Sequence, residues 1–176
     1  QPCPWLALSP QTVRDFSAVC YLTIAEMMRI QPKLRGPPGS GTIFGLVQAA
    51  VDGTTLEEWS PPASLALCPK APTLIKDRES QHFNGMIAPL VGFSLGAILW
   101  DQGENNAHYC SSHEYNCLFS SMLASWRAAW AQPSVPVAFV QLGPYGCAGN
   151  VSTIRLAQSD TLPADQSYWT NHSARI

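Results

Sequence analysis

Gln102, Glu104 and Asn105 follow directly on an apolar run, Gly96-Ala97-Ile98-Leu99-Trp100. An unbroken apolar run reads as a parallel strand buried on both faces. In open α/β sheets the chemistry sits just outside the carboxyl ends of such strands. Gln102, Glu104 and Asn105 are therefore where this chain would be expected to touch a substrate. The bland alternative is a polar turn over 101–106, and the residues alone favour it.

A second apolar run, Thr42 to Ala50, ends at Val51-Asp52-Gly53-Thr54 and continues as Leu56-Glu57-Glu58-Trp59. This order predicts a buried strand, a tight turn and a short helix start. A glycine at a strand end lets its backbone N–H come close to a ligand, as an oxyanion hole requires. A negative Asp52 beside such a hole would oppose the charge that it must stabilise.

Other chemistries fit less well. Among the four histidines, His82, His108 and His113 read as surface or packing residues, and His172 lies inside a sequon. None stands beside a serine at a strand-end turn, where a base must be within hydrogen-bond reach of its nucleophile. No His-x-x-x-His or Cys-x-x-Cys pair exists, so no metal and no cofactor are expected. Gly36 to Thr42 has the glycines of a phosphate loop but not its lysine, which excludes nucleotide binding on that pattern. Glu57, Glu58 and Glu104 could pair as glycosidase acids by spacing alone, and nothing else supports that.

The positioning elements follow from periodicity. Ser9-Pro10 is a helix start, and Val13, Phe16, Cys20, Ile24 and Met27 predict a helix near 10–30. Gln31 to Gly41 is a Pro/Gly loop, and Pro61 to Arg78 reads as a second loop. Glu79 to Val91 looks helical, with Pro89 ending or kinking it. Ser111 to Glu114 is a capping box, followed at helical spacing by Tyr115, Leu118, Phe119, Met122, Trp126 and Trp130. A helix over about 112–130 results. Val135 to Leu142 is a third buried strand, and residues 143–176 show no clear period. Helices alternating with buried strands define an α/β fold: a parallel sheet with helices on both faces and right-handed crossovers.

The chain of 176 residues has a net charge of −2, with 46% hydrophobic and 12% charged residues. That suits one globular domain over 1–176 with a real core. It does not suit a nucleic-acid partner, which needs a basic face. No stretch of about 20 apolar residues exists, so no membrane span is expected. The chain begins at Gln1 and not at Met, which points to a processed chain or a fragment. Six cysteines allow fifteen pairings if all are bridged. With sequons at Asn150 and Asn171 and 15 prolines, they favour a secretory route, lysosomal or secreted.

Several blocks together resemble the sialate O-acetylesterases, a branch of the SGNH-type hydrolases. Trp100, Gln102, Gly103 and Glu104 match that family's Trp-x-Gln-Gly-Glu, preceded by the Gly85-Met86-Ile87-Ala88-Pro89-Leu90 helix. Gly53, Thr54, Glu57 and Trp59 match its Trp-Gly-Gly-Thr-x-Ile-Glu-x-Trp, while Val51 and Asp52 replace the first Trp and Gly. Phe16 to Tyr21, Phe139 to Leu142 and, weakly, Ile154 to Ser159 also match. The resemblance covers roughly residues 5–160, the middle of the family's catalytic domain.

It implies a three-layer SGNH-type sheet, here incomplete, and a serine esterase removing O-acetyl groups from sialic acid or a similar acetylated sugar. Gly53 (backbone N–H) and Gln102 (side-chain amide) would form part of the oxyanion hole, with Glu104 supporting the strand-end loop. The family's Gly-Gln-Ser-Asn and Asp-x-x-His blocks do not occur in the 176 residues. The nucleophile and base would lie outside this sequence, on the same polypeptide or on a second chain. Otherwise the chain is a non-catalytic product or pseudoenzyme that binds a glycan or a protein.

Overall fold

The computed structural model describes residues 4–31, 43–68, 76–108, 112–143 and 150–161. It divides into two compact units, Gln1–Ala50 and Val51–Ile176.

In the first unit, helix α1 spans Ala18–Ile30. Ser17 caps it, its hydroxyl accepting from Cys20 N at 3.3 Å. The helix expected near 10–30 is therefore shorter at its start. Ser9 and Thr12 bond each other instead: Ser9 N donates to Thr12 Oγ1 at 2.8 Å and Thr12 N to Ser9 Oγ at 3.2 Å. Such side chains compete with the helix for backbone groups, and here they hold a separate turn. The buried strand expected over 42–50 is not found: described residues 43–50 form no strand, and Ile43 is 94% exposed. A parallel strand needs a neighbouring edge, and no described strand pairs with this run. It lies extended, with Gly45 close against the Trp5 ring and Gln48 Oε1 accepting from Ser17 N.

The second unit opens with two short helices, α2 (Leu56–Trp59) and α3 (Pro62–Leu65). The expected helix at 79–91 is irregular. A π turn over Phe83–Ile87 passes into a 3₁₀ turn over Ala88–Leu90. Pro89 has no N–H to continue an α ladder, so the chain changes pitch there.

Strands β1 (Ile98–Trp100) and β2 (Val137–Phe139) pair in parallel, with Ile98 opposite Val137 and Trp100 opposite Phe139. Between them run α4 (Glu104–His108) and α5 (Tyr115–Ala129), and after β2 comes α6 (Val151–Thr161). Two hydrogen bonds hold the strand entries together: Leu95 N donates to Gln132 Oε1, and Gln132 Nε2 to Leu95 O, each at 2.9 Å.

The core lies between this sheet and α5. Tyr115, Leu118, Phe119, Met122, Leu123 and Trp126 are all buried. Trp100 meets Phe119 and Trp126 with ring centroids 5.9 Å apart in both cases. Phe139 meets Phe119 at 6.1 Å. Each large buried apolar side chain contributes roughly 1.5–3 kcal/mol, which makes α5 the main anchor of the unit. Ser111 of the expected capping box lies outside the described residues, and α5 begins at Tyr115. Helix α6 packs on α5 through Val151, Ile154, Ala157, Gln158 and Thr161. Two polar residues in that stripe hide its helical period from an apolar count.

Cys68 and Cys117 form a disulfide with Cα atoms 5.8 Å apart and a sequence separation of 49. It ties the chain after α3 to α5. Closing a loop of that length stabilises by about 4 kcal/mol on the chain-entropy account. Reduction should therefore lower the melting temperature by roughly 10 °C. Calorimetry with and without reductant checks this; an unchanged melt would mean that the core alone already constrains the loop.

Candidate active site

The site is built from two turns that are distant in sequence. The first is the turn into α2. Gly53 takes φ +70°, where an L side chain is strained, and it is exposed together with Asp52. Thr54 braces the turn: its hydroxyl donates to Val51 O at 2.9 Å and accepts from Trp59 Nε1 at 2.9 Å. Glu58 reaches back to Thr55 N at 3.3 Å, the reciprocal half of a capping box. Its carboxylate is fully buried, 3.0 Å from Arg78 Nε and 3.7 Å from His82 Nε2. His82 stacks on Trp59 with ring centroids 4.8 Å apart, so this histidine packs and braces α2.

The second turn joins β1 to α4. Gly103 takes φ +149° with no room for a side chain: a Cβ there would lie 2.9 Å from Ile154 Cγ2 and 3.0 Å from Leu142 Cδ1. Partial burial, and after it the charge of Glu104, raises the Asp101 carboxyl above its ordinary range.

Buried amides join the two turns. Gln102 Nε2 donates to Thr54 O at 3.1 Å and to Asn106 Oδ1 at 2.7 Å. Asn106 Oδ1 also accepts from Leu56 N at 2.9 Å, and Asn106 Nδ2 donates to Glu57 Oε2 at 2.9 Å. Tyr115 donates its hydroxyl between Gln102 O at 3.2 Å and Gln102 Oε1 at 3.1 Å. Burial pushes that hydroxyl far above the usual tyrosine range, so it stays a neutral donor. Gln158 Nε2 donates to Gln102 O at 3.1 Å and fixes the same turn from α6.

The expected site residues are thus placed differently from one another. Gln102 does lie against the turn that holds Gly53. Both of its amide hydrogens are spent on Thr54 and Asn106, so neither remains for a substrate oxygen. Glu104 is exposed at the head of α4, and Gln102 and Asn106 both bond to the 54–57 segment. Asn105 faces Gly53, its Nδ2 lying 3.8 Å from where a Gly53 Cβ would stand. Asn106 and Glu57 were missed as partners. Their signal was present, since Glu57 stood in one matched block and Asn106 two residues beyond the other, but nothing in spacing pairs them. His108 and His113 are exposed, whereas His172 and Asn171 lie outside the described residues. Among the described residues no cluster of three or more His, Cys, Asp or Glu could hold a metal, and no helix is long and apolar enough to cross a membrane.

Parallel strands, a crossover helix and a polar strand end meeting a glycine turn define an α/β esterase domain of the SGNH-like type, present here in part. Residues 24–170 match the model of the carbohydrate esterase, sialic acid-specific acetylesterase family. The human sialate O-acetylesterase is 34% identical over 99 residues, which is 52% of this chain and 19% of the human one. The Rattus norvegicus enzyme is 27% identical over 144 residues, covering 58% of this chain and 26% of that one. A crystal structure of a carbohydrate acetylesterase from Xanthomonas citri superposes with a TM-score of 0.68 at 28% identity, over 87% of this chain and 33% of its own. The chain therefore belongs to the sialic acid-specific acetylesterase family of carbohydrate esterases. It spans about a fifth to a quarter of the length of these curated relatives.

Gly103→Ala should cost about 3 kcal/mol or more, since a Cβ would both strain the backbone and overpack the core. Urea titration of the variant measures the loss; a parental midpoint would show that Ile154 and Leu142 can move aside at little cost.

Proposed function

We propose that this chain is a single, partial esterase domain that carries the oxyanion-stabilising side of a site for O-acetyl esters of sialic acid or a similar acetylated sugar. The observation that carries the reading is the approach of the Asn105 amide to the Gly53 turn. Gly53 N–H and Asn105 Nδ2 are the donors. Gln102 holds the turn in place, and Glu104 occupies the rim. Donors aimed at an oxyanion contribute roughly 10²–10³ in kcat each. They do so only when a nucleophile and base are present, and the Gly-Gln-Ser-Asn and Asp-x-x-His blocks are absent from these 176 residues. Turnover then requires sequence beyond them, on the same polypeptide or a second one.

Without it the chain is non-catalytic and binds the acetylated sugar or a protein. Asp52, exposed next to Gly53, favours this second reading, because its charge opposes an oxyanion there. The chain alone should show no triad-level turnover of aryl acetates or O-acetyl sialic acid. Turnover titrated one-to-one by a serine-directed phosphonate would overturn this and reveal a nucleophile among the serines present.

We further propose a secretory route, with the chain lysosomal or secreted. The Cys68–Cys117 bridge suits an oxidising compartment. Asn150 of the first sequon is exposed, immediately before α6. It should carry a glycan when the protein is made in a secretory host, and so should Asn171 if its sequon is accessible. Mass spectrometry before and after enzymatic deglycosylation checks this; an unchanged mass counts against the route.

A further inference from the structure

Asn106 is fully buried, and its amide meets three partners from both turns. An ionised carboxylate only accepts hydrogen bonds, while Leu56 N and Gln102 Nε2 only donate. Glu57 on one side and those two donors on the other leave the Asn106 amide a single orientation. A flipped amide would set oxygen against carboxylate and N–H against N–H. The direction passes on: Gln102 must turn Nε2 towards Asn106 and Thr54, leaving Oε1 for the Tyr115 hydroxyl.

The placement matters because Asn105 precedes Asn106, and Leu56 lies three residues after Gly53. Fixing Asn106 against Leu56 and Glu57 therefore fixes the approach of Asn105 to the Gly53 turn. The neighbouring charges have other partners. Glu58 is paired with Arg78 and lies near His82, Glu104 stands exposed at the head of α4, and Tyr115 is a neutral donor.

We infer that Asn106 and Glu57 form a polarity-coded latch between the two turns, with Asn106 a positioning residue that sets the Gly53–Asn105 approach. This rests on the reading of Gly53 and Asn105 as oxyanion donors. The latch works only when one partner donates and the other accepts. A second carboxylate in place of Asn106 breaks it while both acids are ionised, and uptake of one proton restores it.

The test uses the full chain and four proteins: parent, Asn106→Asp, Glu57→Gln, and the double variant. Amide hydrogen exchange is followed at Gly53, Thr54 and Thr55, with α5 as the internal control. At pH 7 the Asn106→Asp protein should exchange at least about tenfold faster at these three sites, with α5 unchanged. At low pH, where the acid pair has taken up a proton, protection should return. The double variant should match the parent at both pH values, since the introduced amide donates to the introduced carboxylate. Glu57→Gln alone should also match, its carbonyl still accepting from Asn106. If Asn106→Asp unfolds outright at pH 7, a folded double variant with parental exchange still supports the latch. Parental exchange in Asn106→Asp at pH 7 overturns it. So does an equally unprotected double variant, which would reduce Asn106 to a packing residue.

Acetate, the acyl product of the proposed reaction, tests the underlying reading separately. Titrated into the parent, it should shift the Gly53 amide and Asn105 side-chain resonances, and in Asn106→Asp at pH 7 those shifts should be lost. No shift in the parent sinks the donor assignment and leaves the exchange result standing. Undiminished shifts in the variant sink the latch.

Discussion

A buried polar group left without a partner is costly, and Asn106 is where the second unit concentrates its buried hydrogen bonds. Its amide serves a backbone N–H 50 residues away, a carboxylate 49 residues away and the side chain of Gln102. An unmade bond in such a place costs about 1–3 kcal/mol, so the arrangement is held as a whole or not at all. Helices α2 and α4 have four and five residues. Segments so short do not hold themselves, because nucleation consumes what few backbone bonds they make. Their order comes from the shared amides and from the core below.

That core supplies the second constraint. Leu142 and Ile154 close on Gly103 from beneath, and Gln158 and Tyr115 reach the carbonyl of Gln102 from two different helices. The strand end is thus gripped on both sides by α5 and α6. Gly53, by contrast, stands at the surface of its turn, where among the described residues a Cβ would meet the Asn105 amide. Rigidity below and openness above are what the proposed donor pair would need to meet an oxygen from outside without reorganising.

Sequence reading reached the parts of this arrangement that are governed by periodicity. The aromatic stripe from Tyr115 to Trp126 is a helix, and the runs at 96–100 and 135–142 contain the paired strands. It failed where tertiary partners decide. The run at 43–50 has strand composition, but pairing needs an edge that no described strand offers. Periodicity did not show helix α6, because Gln158 and Thr161 sit in its buried stripe, and only the weak match of Ile154 to Ser159 to a family helix start pointed to it. The site divides the same way. Gly53 and the polar strand end stood out as motifs, yet the division of labour among Gln102, Asn105 and Asn106 depends on which amide faces inwards, and α4 fixes that only on folding. The lesson is specific to adjacent amides: types and order show that a site is near, and only burial tells donor from brace.

The sheet and the proposed site rest on different contacts. Side chains alternate across a strand, so Ile98, Trp100, Val137 and Phe139 share the face towards α5. Leu99, Ala138 and Val140 share the other, where Val140 is 38% exposed and Leu99 and Ala138 are only half-buried. Parallel sheets are normally covered on both faces, and the chain spans 33% of its structural neighbour. The partial exposure of this face concerns the strands. The bonds that join the two turns instead run between residues 54 and 106 and close on α5 and α6, all within the second unit. The geometry of Gly53 and Asn105 is therefore set by contacts that this chain contains, whatever covers the other face of its sheet.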